Sequence, residues 1–264
     1  MPWLRDHESP SWPVSAVTAL MMLCACECAA TESVDPRFKL SLGYHYSSGT
    51  YGTSSTTEIA YVPLIAQVDV GSWSLQGTLQ YLRISGPAGF VEGPNGPIQT
   101  TGGESDGLGD LLVRGSYTLA PVREWMPWVD LVGLVKFPTA SRSDGLGTGK
   151  FDFGLESEFF FAAGRFTPLA IVGYRFLGSP PGTDLHDVFL GSIGATYRVI
   201  DTVHGGLYLD YRQAPSASIG ERLELIPFLS WQLDSHWTVD TYASAGLAKG
   251  SPDAGTGLQL AYTW

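Results

Sequence analysis

From residue 37 to residue 264 the dominant hydrophobic period is two, not 3.6. Successive side chains of a β-strand point to opposite faces, so this period demands strands with one apolar face. The clearest segment is 151–163. Phe151, Phe153, Leu155, Phe159 and Phe161 share one parity, and Asp152, Gly154, Glu156, Glu158 and Ala162 share the other. The pattern recurs in 203–212 and 237–247. It runs to the last residue, with Leu258, Leu260, Tyr262 and Trp264 set against Gly257, Gln259, Ala261 and Thr263. An alternating strand that closes on an aromatic residue is expected of an outer-membrane barrel, with Trp264 at the membrane boundary.

About twelve such strands can be drawn: 37–46, 58–70, 72–84, 107–120, 127–137, 151–163, 166–177, 187–199, 203–213, 222–232, 237–247 and 256–264. Most reach the roughly 9–11 residues that cross a bilayer at a tilt. Their connections alternate in length. Gly71, Gly164-Arg165, Ile200-Asp201-Thr202, 121–126 and 233–236 are short; 47–57, 85–106, 138–150, 178–186, 214–221 and 248–255 are longer. Sorting of this kind predicts short periplasmic turns and longer extracellular loops, with an even strand count. The expected fold class is therefore all-β: an antiparallel transmembrane β-barrel of about twelve strands.

Charge shows which face meets lipid. Only 16% of the 264 residues are charged, against roughly a quarter in ordinary soluble domains. Asp110, Arg114, Lys136, Asp152, Glu156, Glu158, Arg175, Asp210, Arg212, Arg222 and Glu224 all fall on the less apolar parity of their strands. Glu58, Arg83 and Asp187 break the rule, each at an outer strand end where a charge costs little. Aromatics of the apolar parity gather near strand ends. Trp73, Trp231, Trp237 and Trp264 form an expected lower membrane girdle, and Tyr46, Tyr81, Phe137, Phe151, Phe176 and Tyr211 an upper one.

Residues 1–30 read as a secretory leader, an apolar, small-residue-rich stretch ending Cys28-Ala29-Ala30, and residues 31–264 as the barrel. All three cysteines, Cys24, Cys26 and Cys28, fall in the leader. Leu23-Cys24-Ala25-Cys26 also resembles a lipoprotein cleavage site, with lipidation at Cys26 as the lesser alternative to cleavage after Ala30. Removing the leader takes the net charge from −11 to about −9. An acidic chain lacks the basic surface that nucleic acid requires. The expected partners are outer-membrane lipid and lipopolysaccharide, the barrel-assembly machinery acting through the C-terminal strand, and a small solute. No metal or cofactor is expected.

A resemblance rests on specific segments. Gly107-Leu108-Gly109-Asp110, Tyr117-Thr118-Leu119, Lys136-Phe137-Pro138-Thr139-Ala140-Ser141, Gly145-Leu146-Gly147-Thr148-Gly149-Lys150 and Asp152 resemble the outer-membrane family labelled meta-pathway of phenol degradation, whose members are often called transporters. Val172-Gly173-Tyr174-Arg175 and Gly178-Ser179-Pro180-Pro181 fit the same pattern. Ala140, where that family commonly has Gly, and Trp264, where Phe is usual, depart from it. The resemblance implies a barrel that passes small, often aromatic or hydrophobic, compounds.

The interior charges are the functional candidates. Lys136, Asp152 and Arg175 share parity and approximate height, which predicts a charged belt near the outer mouth. Asp210, Arg212, Arg222 and Glu224 form a similar group. Either they line a constriction or their ion pairs, with the bulky Trp128, Tyr208, Phe228 and Tyr242, fill the lumen. The long segment 85–106 either folds inward or covers the mouth. The glycine-rich 107–110 and 145–150 lack phosphate-loop spacing and read as turns. Asp106, Asp110 and Asp144 read as loop acids rather than a calcium site. His45-Tyr46-Ser47 has the spacing of a membrane lipid hydrolase, but His45 carries inward parity. Asp210 and His204 share a strand several residues apart, so no catalytic residue is assigned.

Overall fold

The computed structural model describes residues 35–123 and 125–264; the leader and its cysteines lie outside them. The described chain folds into thirteen strands: β1 (Arg37–Gly49), β2 (Thr57–Val70), β3 (Trp73–Gly93), β4 (Gly96–Leu108), β5 (Leu111–Leu119), β6 (Trp128–Phe137), β7 (Asp152–Phe160), β8 (Phe166–Phe176), β9 (Val188–Ile200), β10 (Val203–Arg212), β11 (Arg222–Gln232), β12 (Trp237–Gly246) and β13 (Ala254–Thr263). Every neighbouring pair is antiparallel, and β1 joins both β2 and β13 while β2 joins β3, so the sheet closes on itself without an edge. A closed sheet satisfies its backbone within the wall, as hydrocarbon surroundings require.

Thirteen elements make twelve staves. β4 and β5 pair in succession with the upper and lower parts of β3, with Tyr81 opposite Leu108 and Thr78 opposite Leu112. Three residues, 109–111, thus oppose two, 79–80. This β-bulge re-aims the stave at Gly109-Asp110. Gly109 N–H still donates to Gln80 O at 2.8 Å.

The segment 85–106, expected to be a loop, is a continuation of the β3–β4 ladder up to the pair Gly93 and Gly96. Its glycines and prolines hide the alternation that marks other strands. Residues 91–98, at its tip, are all buried. The hairpin therefore folds inward, and Val91 and Ile98 pack in a cluster with Leu82, Ile84, Tyr61 and Leu146. At other sites the differences are small. The strand expected over 151–163 ends at Phe160, and an isolated bridge between Ala163 and Phe166 closes the following turn.

Side-chain polarity is inverted relative to a soluble barrel. Leu40, Leu42, Tyr44, Leu64, Leu75, Phe153, Leu155, Val172, Ile193 and Leu207 are exposed on the outside, whereas most described strand charges are buried inside. Trp73, Trp231, Trp237 and Trp264 are exposed. The last strand docks on the first: Trp264 N–H donates to Phe38 O at 3.0 Å, Phe38 N–H donates to Trp264 O at 3.2 Å, and their rings stack at 6.1 Å.

Candidate lumenal site

The bulge at Asp110 organises one side of the lumen. Thr139 Oγ1 donates to Gly109 O and accepts from Leu111 N–H, at 2.9 and 2.8 Å. Ala140 N–H donates to Asp110 Oδ1 at 3.0 Å. Lys136 Nζ lies 3.4 Å from Asp110 Oδ2 and 2.5 Å from Asp152 Oδ2, and donates to Thr148 Oγ1 at 3.3 Å. A Cβ at Gly147 would stand 3.0 Å from Ala140 Cβ and 3.1 Å from Asp110 Oδ2. The segments 107–110, 136–141 and 145–150 are thus parts of one interlocked structure. The glycines of 145–150 serve as a turn, with positive φ at Gly145 and Gly149, whereas 107–110, expected to be a turn, is the end of β4 and the bulge, with Gly107 opposite Leu82.

Below this lies an arginine–glutamate network. Arg114 pairs with Glu158 and lies 3.9 Å from Glu156, which pairs with Arg175. Lys136 and Asp152 meet as expected, but Arg175 reaches Glu156 rather than completing that belt. The ladder explains the choice: Arg175 stands opposite Gly154, where a Cβ would come within 2.6 Å of its Cδ, so its side chain passes over the glycine toward Glu156.

The second expected group divides. Arg222 pairs with Glu224, and Asp210 accepts from Ser192 Oγ at 2.6 Å. Arg212 instead pairs with Glu92 at the hairpin tip. Asn95 Nδ2, also at the tip, donates to Asp110 O at 3.1 Å. Period-two reasoning missed Glu92 and Asn95 because they sit in a Gly/Pro-rich segment. The available signal was an acid flanked by Phe90-Val91 and Ile98 among turn residues.

An aromatic arc lines part of the wall. Following the ladders, Phe228 neighbours Tyr242, Tyr242 neighbours Gly257, Gly257 neighbours His45, and His45 neighbours Tyr61. The His45 ring stacks on Tyr61 at 4.7 Å and on Tyr242 at 5.5 Å. Tyr208 stacks on Phe228 at 4.9 Å, with Trp128 packed against the same cluster. His45 Nδ1 lies 3.2 Å from Tyr242 Oη, whereas Ser47 Oγ lies 2.8 Å from Tyr51 Oη. His45 and Ser47 therefore have separate partners. Asp106 accepts from Tyr81 Oη while Asp110 serves Lys136, so these acids are also engaged separately.

Among the described residues classed as buried, nine are acids (Glu92, Asp110, Asp130, Asp152, Glu156, Glu158, Asp210, Glu224, Asp240) and five are bases (Lys39, Arg114, Lys136, Arg175, Arg212). The interior is therefore acid-rich even with Arg222 added at its margin.

No family model matches the chain, and no curated protein matches its sequence. Solved structures do match its fold. The COG4313 outer membrane channel from Pseudomonas putida F1 aligns at a TM-score of 0.67 and 12% identity, over 90% of this chain and 100% of that one. The KdgM porin aligns at 0.51 and 9%, over 85% and 99%. The β domain of the Bordetella autotransporter BrkA aligns at 0.50 and 12%, over 88% and 100%. The fold is that of an outer-membrane β-barrel.

Proposed function

We propose that the protein is an outer-membrane channel for the passive passage of small solutes, with a preference for cations. The observation that carries this reading is the distribution of charge: apolar side chains cover the outside, and an acid-rich set of side chains lines the inside. A lumen with fixed negative charge concentrates cations and repels anions. The similarity to an outer-membrane channel over nearly the whole chain supports the reading. The resemblance of 107–152 to the meta-pathway family, together with the aromatic arc, supports hydrophobic or aromatic solutes as the finer class. We further infer that lipid and lipopolysaccharide surround the apolar belt, and that assembly factors engage β13.

A second reading, a closed structural barrel, draws on the inward hairpin and the interior ion pairs. Single-channel recording of refolded residues 31–264 in planar bilayers separates the two. Discrete conductance steps above the protein-free bilayer support the channel; their absence at high protein occupancy overturns it.

A further inference from the structure

The inward hairpin joins an exposed bend to a buried tip. Pro87 and Gly102 face each other where the β3–β4 ladder omits a pair, between Gly86–Gly103 and Ala88–Thr101. Proline has no N–H to donate, so residue 87 gives the ladder no backbone bond, and Thr100 Oγ1 donates to Pro87 O at 2.8 Å across the hairpin. Gly89, Gly102 and Gly103 all have positive φ, at 149°, 86° and 83°. Ala88, Gly89, Thr101 and Gly103 are exposed, whereas everything from Val91 to Ile98 is buried. A glycine-rich bend outside, interrupted at Pro87, and a packed tip inside are the parts of a hinge and a plug.

The tip divides the mouth. One cleft is bordered by Glu92, Gly93 and Pro94 together with Tyr61, Arg222 and Tyr242. A second is bordered by Glu92, Asn95 and Gly96 together with Asp152, Arg175 and Arg212. Glu92 borders both, so the turn is the partition between them.

Few polar contacts hold the partition. Arg212 pairs with Glu92, and Asn95 donates to Asp110 O. The remaining polar atoms there, Glu92 Oε2, Asn95 Oδ1 and Arg212 Nε, are buried without a protein hydrogen-bond partner. A buried polar group left unpaired favours any conformation in which water reaches it.

We propose that the β3–β4 hairpin is a hinged gate, swinging at Pro87–Gly103, and that the Glu92–Arg212 ion pair is its latch. Released, the tip leaves the mouth and the two clefts join into one passage. The proposal rests on the channel reading above.

The test records time-averaged conductance of the refolded chain and of three variants in planar bilayers, with barrel folding checked by circular dichroism. The variants are Glu92→Gln, the charge swap Glu92→Arg/Arg212→Glu, and a tip deletion replacing 91–98 by two glycines. The expected result is a rise of about threefold or more for Glu92→Gln and for the deletion, with the charge swap returning to the parent level. Equal conductance of parent and deletion overturns the gate and leaves the channel standing. A raised deletion with an unchanged Glu92→Gln overturns the latch. No current through the folded parent and none through the folded deletion overturns the channel reading, and the gate with it.

Discussion

Phe228 on β11 lies against Gly206, its partner on β10, so closely that a Cβ at position 206 would stand 2.2 Å from Phe228 Cε1. Tyr208 uses Gly194 in the same way, at 2.4 Å from its Cδ1. These interior glycines are sockets that let large rings lie along the wall instead of across the lumen. Gly206→Ala should force the Phe228 ring off its seat, at about 1–3 kcal/mol for overpacking. Urea unfolding of the refolded barrel measures this. The double variant Gly206→Ala/Phe228→Ala should cost less than the sum of the singles, because the ring clash is gone and only the close approach to Ala195 O, at 2.5 Å, remains. Additive costs would contradict the socket.

Lys136 is shared by two buried carboxylates, Asp110 and Asp152. Lys136→Ala leaves both without their cation, a loss of about 3–5 kcal/mol for a broken buried pair. It also deepens the acid excess of the lumen. The expected outcome is lower stability in urea together with stronger cation preference in bilayers. A variant as stable as the parent would mean that water, not Lys136, compensates these acids.

The turn between β11 and β12 carries a pH-sensitive element outside the membrane. Asp234 accepts from the backbone N–H groups of His236 and Trp237, each at 2.8 Å, and these bonds hold its carboxyl below the ordinary value of 3.8. A depressed carboxyl stabilises the folded turn fully above its unfolded value, and that stabilisation is lost as pH falls through the lower folded value. Amide exchange at His236 and Trp237 should therefore be slow at neutral pH and accelerate in an acid window beginning below about 3.8. Asp234→Ala should remove the acid-dependent step. Identical profiles for parent and variant would refute the assignment.

Trp264 meets Phe38 through two backbone bonds and a ring stack at the seam of the barrel. Trp264→Ala keeps the backbone pairing but removes the stack, worth about 0.5–1.5 kcal/mol beyond its buried area. Truncation before Tyr262 removes pairing as well and should impair closure far more. Refolding yield into lipid vesicles distinguishes the two. Equal yields would show that the seam does not depend on these residues.

The wall was legible in the sequence because lipid imposes its rule on every stave: residues such as Leu40, Leu42 and Tyr44 alternate with Lys39, Ser41 and Gly43. Parity also placed Arg114, Lys136, Glu156 and Asp210 inside. Parity gives a face and position along the strand an approximate height, but neither gives the direction a long side chain takes. They could not show that Arg175 passes over Gly154 to Glu156. The bulge at Gly109-Asp110 was hidden because one extra residue leaves both flanking segments alternating. The inward hairpin was hidden for a different reason. Its path is set by distant contacts, Glu92 with Arg212 and Asn95 with Asp110, while its local sequence of glycines and prolines suits either an inward or an outward course.

The most direct test of the account is the zero-current potential of refolded residues 31–264 in a planar bilayer under a potassium chloride gradient. An acid-rich lumen predicts a potential whose sign reports potassium passing more readily than chloride, reduced at high salt where the fixed charges are screened. A chloride-selective potential, or no current through a barrel shown to be folded and inserted, would contradict it.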